Sequence, residues 1–376
     1  MGKFGHKNQI KLDPLAYNIG LLGESGIGKS TIIKEVCEKL VGTDGYLMLD
    51  IGKEDGHDAI SGIMTEKVED FPKFIEVTDD IIENKNTDYP NLRVIGIDTF
   101  DELMTLAEKE TIREYNKTAK EKVKSINAAY GGFGRGLEHA INLVLDRLWE
   151  LKKVGVSFII IAHVKKTDIT DVITEEQYTM LTSNTTQKYF NAIKQKLHFL
   201  GMAYIDREIV QTETKKKDKD GHFVNKGKIA GESRVINFRD DTYSVDSKSR
   251  FANIVPKIAF DADEFIKAMK DAILAEQSKD GISVKEAEKI QKKEAKEAEE
   301  KAEEYSQSKK NGHIDIDRNE ELIEEIQDKF NSLKDAEDET GVKAFKEAMA
   351  ECGIKSFKDP ESIPTKSLED LIEKIA

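Results

Sequence analysis

The sequence predicts an α/β fold with a mostly parallel sheet, antiparallel strands on its C-terminal side, and an appended helical tail. Three observations predict it. Short apolar runs rich in β-branched residues alternate with segments of helical periodicity, as in sheets covered by helices on both faces. A glycine-rich loop joins the first apolar run to the first helical segment. Beyond residue 260 the pattern becomes helical and strongly acidic.

Four apolar runs are expected to form the core strands. They lie at residues 17–22, 46–51, 93–97 and 158–162, the last being Phe-Ile-Ile-Ile-Ala. Helical spacing of apolar residues predicts helices over 30–40 and 137–153. Residues 202–214 and 228–238 are expected to be antiparallel strands, joined by a charged turn through 215–221.

The tail differs from the core in charge. The whole chain carries a net charge of −14, and the residues from Asp261 onward, 32 acidic and 20 basic, contribute −12 of it. We therefore expect one domain over 1–260, a charged helical linker over 261–310 and a small acidic helical module over 311–376. Fourteen of the 20 residues over 285–304 are charged, which is typical of a solvated helix or a disordered linker. Apolar periodicity returns after residue 320 and predicts three helices.

Composition narrows the class of protein. Hydrophobic residues make up 38% of the chain and charged residues 35%, as in a soluble protein with a real core. No apolar run approaches the roughly 20 residues of a membrane span, so we expect no membrane partner. The polar start of the chain lacks the apolar segment of a secretory signal, which indicates a cytoplasmic protein. The two cysteines, Cys37 and Cys352, are expected to be buried thiols rather than a disulfide framework or metal ligands.

The glycine-rich loop gives the strongest functional signal. It fits the pattern G-x-x-x-x-G-K-[ST] at every fixed position with Gly23, Glu24, Ser25, Gly26, Ile27, Gly28, Lys29 and Ser30. In such a loop, backbone N–H groups and the following helix N-terminus hold the β-phosphate of ATP. Lys29 is expected to reach the β- and γ-phosphates and the Ser30 hydroxyl to ligate Mg²⁺, with Thr31 near the α-phosphate.

Two further strand ends are expected to carry site residues. Asp98 ends the third strand, where P-loop NTPases place the acid that holds the Mg²⁺ hydration shell. His163 ends the fourth strand and is expected to lie beside the γ-phosphate and sense whether it is present.

Hydrolysis also needs a carboxylate that orients or deprotonates the attacking water. In most P-loop ATPases a Glu follows the metal acid, but the residue in that position here is Thr99. This favours Glu54, which follows the second strand. Asp50, Asp55 and Glu102 remain the alternatives.

With these motifs in hand, the chain resembles the phage RecA-like ATPases, which include single-domain recombination proteins that anneal single-stranded DNA. The resemblance covers about residues 15–260 and implies a RecA-like P-loop NTPase core. Beyond the two nucleotide motifs, three segments carry it. They are Tyr-Gly-Gly-Phe-Gly-Arg-Gly over 130–136, Ile-Ile-Ile-Ala-His over 159–163, and Val-Ile-Asn-Phe-Arg over 235–239 followed by Ser-Lys-Ser-Arg over 247–250.

The resemblance implies two loops that line a DNA channel, over 120–135 and 164–190. Cations beside aromatic rings suit a phosphate track with base stacking, although local packing and ordinary surface charge are the alternative. The candidates are Lys120, Lys122, Lys124, Tyr130, Phe133 and Arg135 in the first loop, and Lys165, Lys166, Lys188, Tyr189 and Phe190 in the second. It also implies a basic residue from the next subunit, for which Lys248 and Arg250 are candidates, and hence a ring or filament.

Three functions are consistent with these residues. The first is a Mg²⁺-dependent ATPase of phage DNA recombination or replication that binds single-stranded DNA as an oligomer and promotes annealing. The second is an ATP-dependent loader that acts on a protein partner through residues 320–376, and the third is a nucleotide-sensing switch with negligible turnover. The tail has no part in a minimal annealing ATPase. We expect it to bind a replication or single-strand-binding protein, or to compete with DNA for the basic loops.

Overall fold

The computed structural model describes residues 9–53, 56–171, 174–217, 223–239, 246–281, 283–336 and 338–375. In chain order the strands are β1 (Ile19–Gly23), β2 (Tyr46–Ile51), β3 (Thr65–Val68), β4 (Val94–Asp98), β5 (Ser157–Thr170), β6 (Gln177–Ser183), β7 (Phe199–Lys217), β8 (Phe223–Asn237), β9 (Lys248–Ser249) and β10 (Lys257–Ala259). The α-helices are α1 (Lys29–Val41), α2 (Phe71–Glu83), α3 (Phe100–Thr118), α4 (Arg135–Lys153), α5 (Gln187–Lys194), α6 (Ala262–Gln277), α7 (Val284–Gly312), α8 (Ile316–Asp335), α9 (Glu339–Glu351) and α10 (Thr365–Ile375).

The chain forms two compact units. The first comprises Met1–Thr78 and Asn91–Ala298, and the second comprises Asp79–Pro90 and Glu299–Ala376. The domain boundaries expected from composition stay predictions. Helix α6, which those boundaries assign to the linker, contributes Phe265 to the hydrophobic core of the first unit.

The first unit is built on one sheet with the strand order β10-β8-β7-β1-β5-β4-β2-β3. Strand β1 pairs in parallel with β5 and β7, and β4 pairs in parallel with β2 and β5. Beyond β7 the pairing becomes antiparallel, through β8 and then β10. The predicted α/β fold, with its mostly parallel sheet and antiparallel strands on the C-terminal side, is confirmed.

The apolar runs of the sequence form the centre of this sheet because both of its faces are covered. All five residues of β1 are buried, and so are all five of β4. On one face, alternate residues of β1 and β5 pack with α1 and α6 in a single cluster. It includes Ile19, Leu21, Ile159, Ile161, Ile33, Val36, Phe265 and Met269. This packing brings the carboxyl ends of β1 and β4 level with residues 161–163 in the middle of β5, where polar residues begin.

The expected loop over 164–190 is wrong. Residues 164–170 of β5 and 177–183 of β6 form an antiparallel hairpin, and α5 follows it. These strands are largely polar, so hydrophobic periodicity did not reveal them. Side-chain hydrogen bonds join them instead, with the hydroxyls of Thr167 and Thr182 2.6 Å apart and the Thr179 hydroxyl donating to Asp168 over 2.7 Å. The short strand β3 was not predicted either.

The predicted helices of the tail are present. Residues 284–312 form the single helix α7, which is largely exposed. Helices α8, α9 and α10 enclose a small core of their own, which confirms the three-helix prediction. That core consists of Leu322, Ile323, Ile326, Phe345, Ile354, Ile363, Leu368 and Leu371. Cys352 is only partly buried, unlike Cys37, so the expectation of two buried thiols is wrong for one of them. No helix in the described part of the chain is long and apolar enough to cross a membrane.

Candidate functional site

The glycine-rich loop connects the carboxyl end of β1 to the first turn of α1. Gly28 caps the helix, and both Gly26 and Gly28 have positive φ, +74° and +104°, which side chains rarely adopt. The loop therefore turns back over the helix N-terminus, where backbone N–H groups lack partners within the helix. Such a terminus favours a bound anion, and phosphate in particular.

Gly23 is required for a different reason, which is the close approach of the neighbouring strand. It lies opposite Ala203 on β7 and opposite His163 on β5. A Cβ at Gly23 would lie 2.8 Å from the Ala203 carbonyl oxygen and 2.9 Å from its Cβ. Only glycine therefore lets β1 end beside β7 at the start of the loop.

The side chain of Lys29 folds back over the loop. It is 6% exposed, and its Nζ donates hydrogen bonds to the carbonyls of Gly23 (3.1 Å) and Glu24 (3.0 Å). The ammonium is thus held against the loop that would surround the phosphates. Its position agrees with the phosphate-binding role expected from the sequence, which stays a prediction.

Ser30 and Asp98 lie together although they are 68 positions apart in the chain. The Ser30 hydroxyl donates a hydrogen bond to Oδ2 of Asp98, which is only 7% exposed. A hydroxyl and a buried carboxylate are the hard oxygen ligands that Mg²⁺ prefers. Next to a loop that suits phosphate, this donor pair fits the Mg²⁺ of a bound nucleotide.

His57, which no sequence motif marks, also contacts Asp98. Its Nε2 lies 2.9 Å from Oδ2 of Asp98 and its Nδ1 lies 2.7 Å from the Thr65 hydroxyl. Burial alone would lower the pKa of His57, but the hydrogen bond with Asp98 and the negative charges of Asp98 and Asp50 outweigh it and raise that pKa. His57 follows the second strand in a polar segment, and Thr65 belongs to the strand that was not predicted. No motif or hydrophobic pattern in the sequence identifies His57 or Thr65 as part of the site.

The structure describes two of the four candidates for the carboxylate that acts on water, Asp50 and Glu102. Glu54 and Asp55 lie outside the described residues, so the preference for Glu54 stays a prediction. Asp50 is 6% exposed and pairs in register with Asp98 on the adjacent strand. Glu102 lies in the first turn of α3, where its Oε2 would be 2.9 Å from a Cβ at Gly52. Both alternatives therefore lie at the carboxyl end of β2, Asp50 within the strand and Glu102 beside Gly52.

His163 lies in the middle of β5 and not at its end as predicted, because the polar residues 164–170 continue the strand in the hairpin with β6. Asp101 holds His163 at the level of Gly23. Its backbone N–H donates to Oδ2 of Asp101 over 2.7 Å, and its ring Nδ1 lies 3.5 Å from the same oxygen. The Thr185 hydroxyl donates to the other oxygen over 2.7 Å. Burial would raise the pKa of Asp101, but the hydrogen bonds from His163 and Thr185 outweigh it and lower that pKa. The carboxylate is therefore charged at neutral pH.

Lys248 and Arg250 lie near the amino ends of the parallel strands, whereas the glycine-rich loop lies at the carboxyl end of β1. Lys248 pairs with Leu200 near the start of β7, and its Nζ donates to the Lys194 carbonyl over 2.7 Å. The Arg250 guanidinium donates to the Gln195 carbonyl. Leu200 is level with Gly20, the second residue of β1, whereas the glycine-rich loop begins at Gly23. Neither cation therefore reaches the glycine-rich loop of its own chain. Their role in a neighbouring subunit stays a prediction.

Most of the residues expected to contact DNA are exposed, whereas Tyr189 and Phe190 are buried. Phe133 is fully exposed and has a positive φ, as do Tyr130 and the glycines between and after them. Tyr130 stacks on His139 with ring centroids 4.6 Å apart. The exposed cations are Lys120, Lys122, Lys124, Arg135, Lys165, Lys166 and Lys188.

Two of the expected aromatic contacts are corrected by the structure. Tyr189 and Phe190 are buried, 1% and 5% exposed, so this fold does not offer them for base stacking. The Tyr189 hydroxyl donates instead to Glu108 over 2.8 Å. Lys188 donates to the Gly134 carbonyl over 2.5 Å and so ties α5 to the loop that carries Phe133.

A cavity of about 370 Å³ lies beside the glycine-rich loop. Its lining consists of Glu24, Ser25, Gly26, Ile27, Ile205, Glu232, Ser233 and Arg234. Arg234 donates to the Ile27 carbonyl over 3.2 Å, and its guanidinium lies 5.8 Å from the centroid of the Phe260 ring. This arginine adds positive charge next to the loop, and sequence spacing gave no indication of it.

Comparison with known proteins gives three findings. A family model described as "AAA domain" matches residues 15–251, which is more than half of the chain. No curated protein matches. Among solved structures, one titled "Structural and biochemical analysis of a prototypical ATPase from the type III secretion system of pathogenic bacteria" matches with a TM-score of 0.31 and 13% identity. That match covers 51% of each chain, so this chain spans about half the length of the solved structure.

Proposed function

This chain belongs to the AAA domain family, and we propose that it is a Mg²⁺-dependent ATPase that binds single-stranded DNA as a RecA-like oligomer in phage recombination or replication. One observation carries the nucleotide part of the proposal. It is the contact between Ser30 and Asp98, buried beside a loop whose glycines turn it over a helix N-terminus. A metal-binding pair next to a phosphate site is what an ATPase needs.

We assign a role in ATP hydrolysis to each polar side chain around the glycine-rich loop. Lys29 and the loop N–H groups bind the phosphates, and Ser30 and Asp98 hold Mg²⁺, which when bound neutralises charge on the β- and γ-phosphates. His163, fixed by Asp101, responds to the γ-phosphate. Glu54, or in its place Asp50, Asp55 or Glu102, orients the water. The cavity beside Arg234 is where we expect the nucleoside to lie.

The DNA part of the proposal is supported by the loop that carries Phe133. Phe133 is fully exposed, so its ring is available to stack on a base. Exposed cations precede and follow it, at Lys124 and Arg135 among others. An aromatic ring flanked by cations offers a base a stacking partner and its phosphates a counter-charge.

The positions of Lys248 and Arg250 support the oligomer that we propose. Both lie at the edge of the sheet away from the loop of their own chain. A cation there can reach a transferring phosphoryl group only in another subunit, so we expect hydrolysis to depend on self-association.

The second candidate, an ATP-dependent loader that acts on a protein partner, is favoured by the second unit. Helices α8 to α10 have their own hydrophobic core, and the chain from Asp261 onward is acidic. Acidic surfaces repel DNA and suit a protein partner.

A fluorescence-anisotropy titration with labelled oligo-dT, with and without ATP, separates the two functions. The DNA proposal predicts binding that weakens steeply with salt, because phosphate contacts release counterions. Phe133→Ala should weaken it by roughly 5- to 100-fold, the worth of one stacked base. Lys267→Ala, an exposed lysine on α6, is the matched control and should have no effect. Absence of binding at low salt would favour the loader.

A further inference from the structure

We propose that His57 is a positioning residue that holds the Asp98 carboxylate in the orientation in which it takes part in Mg²⁺ binding. The inference rests on the proposed function of Ser30 and Asp98 as the metal-binding pair. It concerns a residue that lies in none of the sequence motifs.

A continuous chain of polar contacts runs from Thr65 through His57 to Asp98. The Thr65 hydroxyl on β3 lies 2.7 Å from Nδ1 of His57, and Nε2 of the same ring lies 2.9 Å from Oδ2 of Asp98. The Ser30 hydroxyl meets that same carboxylate oxygen. One oxygen of Asp98 therefore faces the imidazole and the serine of the phosphate-binding loop together.

The side chains that meet in this contact are both buried. His57 is 4% exposed and Asp98 is 7% exposed, so water contributes little to the orientation of either side chain. A buried carboxylate needs hydrogen-bond donors to stay charged. Partners of this kind behind a metal ligand fix its orientation, and their loss typically weakens metal binding by 10- to 100-fold.

The contact with Asp98 persists in either protonation state of the His57 ring. In the neutral ring Nδ1 accepts from the Thr65 hydroxyl and Nε2–H donates to Asp98. In the charged ring both nitrogens donate, and the threonine oxygen accepts. Either way an N–H points at the carboxylate, so the proposed role is one of geometry.

Mn²⁺ serves as the probe, because its free and bound forms are distinguished by electron paramagnetic resonance. The full chain is titrated with Mn²⁺ in the presence of a non-hydrolysable ATP analogue. We expect His57→Leu to weaken Mn²⁺ binding by about 10- to 100-fold. His57→Gln, whose amide N–H can take the place of Nε2–H, should recover most of that loss. Ser61→Ala, an exposed residue of the same segment, is the matched control.

Two measurements separate positioning from a merely structural role. The affinity of the analogue in EDTA and the urea midpoint of unfolding should be the same in wild type and His57→Gln. Thr65→Val should weaken Mn²⁺ binding by less than His57→Leu, because it frees the ring without removing it. Mn²⁺ affinity unchanged in His57→Leu would overturn the proposal. Equal losses in His57→Leu and His57→Gln would overturn it too.

Asp98→Asn distinguishes failure of this inference from failure of the proposed function. If wild type binds Mn²⁺ with the analogue and Asp98→Asn does not, the metal-binding pair stands and the His57 variants decide the inference. If Asp98→Asn binds Mn²⁺ as tightly as wild type, both the assignment of Asp98 and the role of His57 are wrong.

Discussion

Asp101 accepts a hydrogen bond of 2.7 Å from the backbone N–H of His163, so the first turn of α3 is tied to the middle of β5, beside the glycine-rich loop. The ring of His163 lies 3.5 Å from the same carboxylate oxygen. Asp101 follows Asp98 by three positions, and His163 is level with Gly23. The carboxylate of Asp101 therefore links His163, the candidate γ-phosphate sensor, to the chain segment that begins with Asp98, the candidate metal ligand.

Asp101→Asn tests whether this connection matters for turnover. The amide keeps the shape of the carboxyl group but loses its charge, so the His163 ring is held less firmly. We expect ATP affinity to stay within about threefold and turnover to fall by roughly 10- to 100-fold, the usual cost of a misplaced catalytic group. Phosphate release and analogue binding are measured side by side, with Lys109→Ala on the exposed side of α3 as control. Normal turnover in Asp101→Asn would remove His163 from the mechanism.

Glu54→Gln tests the carboxylate that acts on water. The glutamine cannot accept a proton, so ATP should remain bound while cleavage falls by about 100-fold or more. Filter-bound nucleotide and released phosphate give the two quantities. Asp58→Asn, an exposed acid of the same segment, is the control and should cleave ATP normally. Wild-type rates in Glu54→Gln would transfer the role to Asp50, Asp55 or Glu102.

His198 predicts a loss of stability in mild acid. Its Nδ1 accepts the backbone N–H of Asn18 over 3.1 Å. Burial and the positive charges of Arg250 and Lys152 lower the pKa of His198 from 6.5 to about 4. Below pH 6.5 the unfolded chain therefore binds a proton that the folded chain does not. The stability this group contributes is complete above pH 6.5 and is lost as the pH falls toward 4.

The measurement compares wild type with His198→Gln, which does not titrate. Between pH 7.5 and pH 5 the free energy of unfolding of wild type should fall by about 1–2 kcal/mol more than that of the variant, after allowance for solvent screening. Urea denaturation at the two pH values gives both numbers. A parallel fall in the two proteins would show that His198 titrates normally in the folded state.

The two cysteines should differ in reactivity. Burial, with the charge of Glu38 adding to it, raises the pKa of Cys37 to about 12, and only the thiolate attacks a disulfide reagent. Cys352 is partly exposed. At pH 8 the native chain should therefore titrate one thiol with a chromogenic disulfide, and two in denaturant. Cys352→Ser should abolish the native reaction, whereas two rapidly reacting native thiols would contradict the burial of Cys37.

The parts of the fold that the sequence predicted are those set by local pattern. Unbroken apolar runs marked the buried strands, and the glycine-rich loop placed the phosphate site, because only glycine adopts the φ of Gly26 and Gly28 without strain. The contact between Ser30 and Asp98 could be predicted because parallel strands bring their carboxyl ends to one edge.

The rest depends on tertiary contacts that leave no local mark. The β5–β6 hairpin is held by polar side chains, so no hydrophobic alternation announced it. Tyr189 and Phe190 looked available for stacking, yet α5 turns them into the core. His57 contacts Asp98 although the two residues are 41 positions apart in the chain. The turn that carries His57 and the strand β3 that supports it were not predicted from the sequence.

The central claim is that a nucleotide binds on the loop at residues 23–31, and calorimetric titration with a non-hydrolysable ATP analogue and Mg²⁺ tests it most directly. The ammonium of Lys29 is buried against this loop, so Lys29→Ala removes charge-assisted contacts with the phosphates and should weaken binding by roughly 10- to 100-fold. Lys39→Ala removes an exposed lysine from the same helix and should leave the affinity unchanged. Equal affinity in wild type and Lys29→Ala, or no binding to wild type, would contradict the claim.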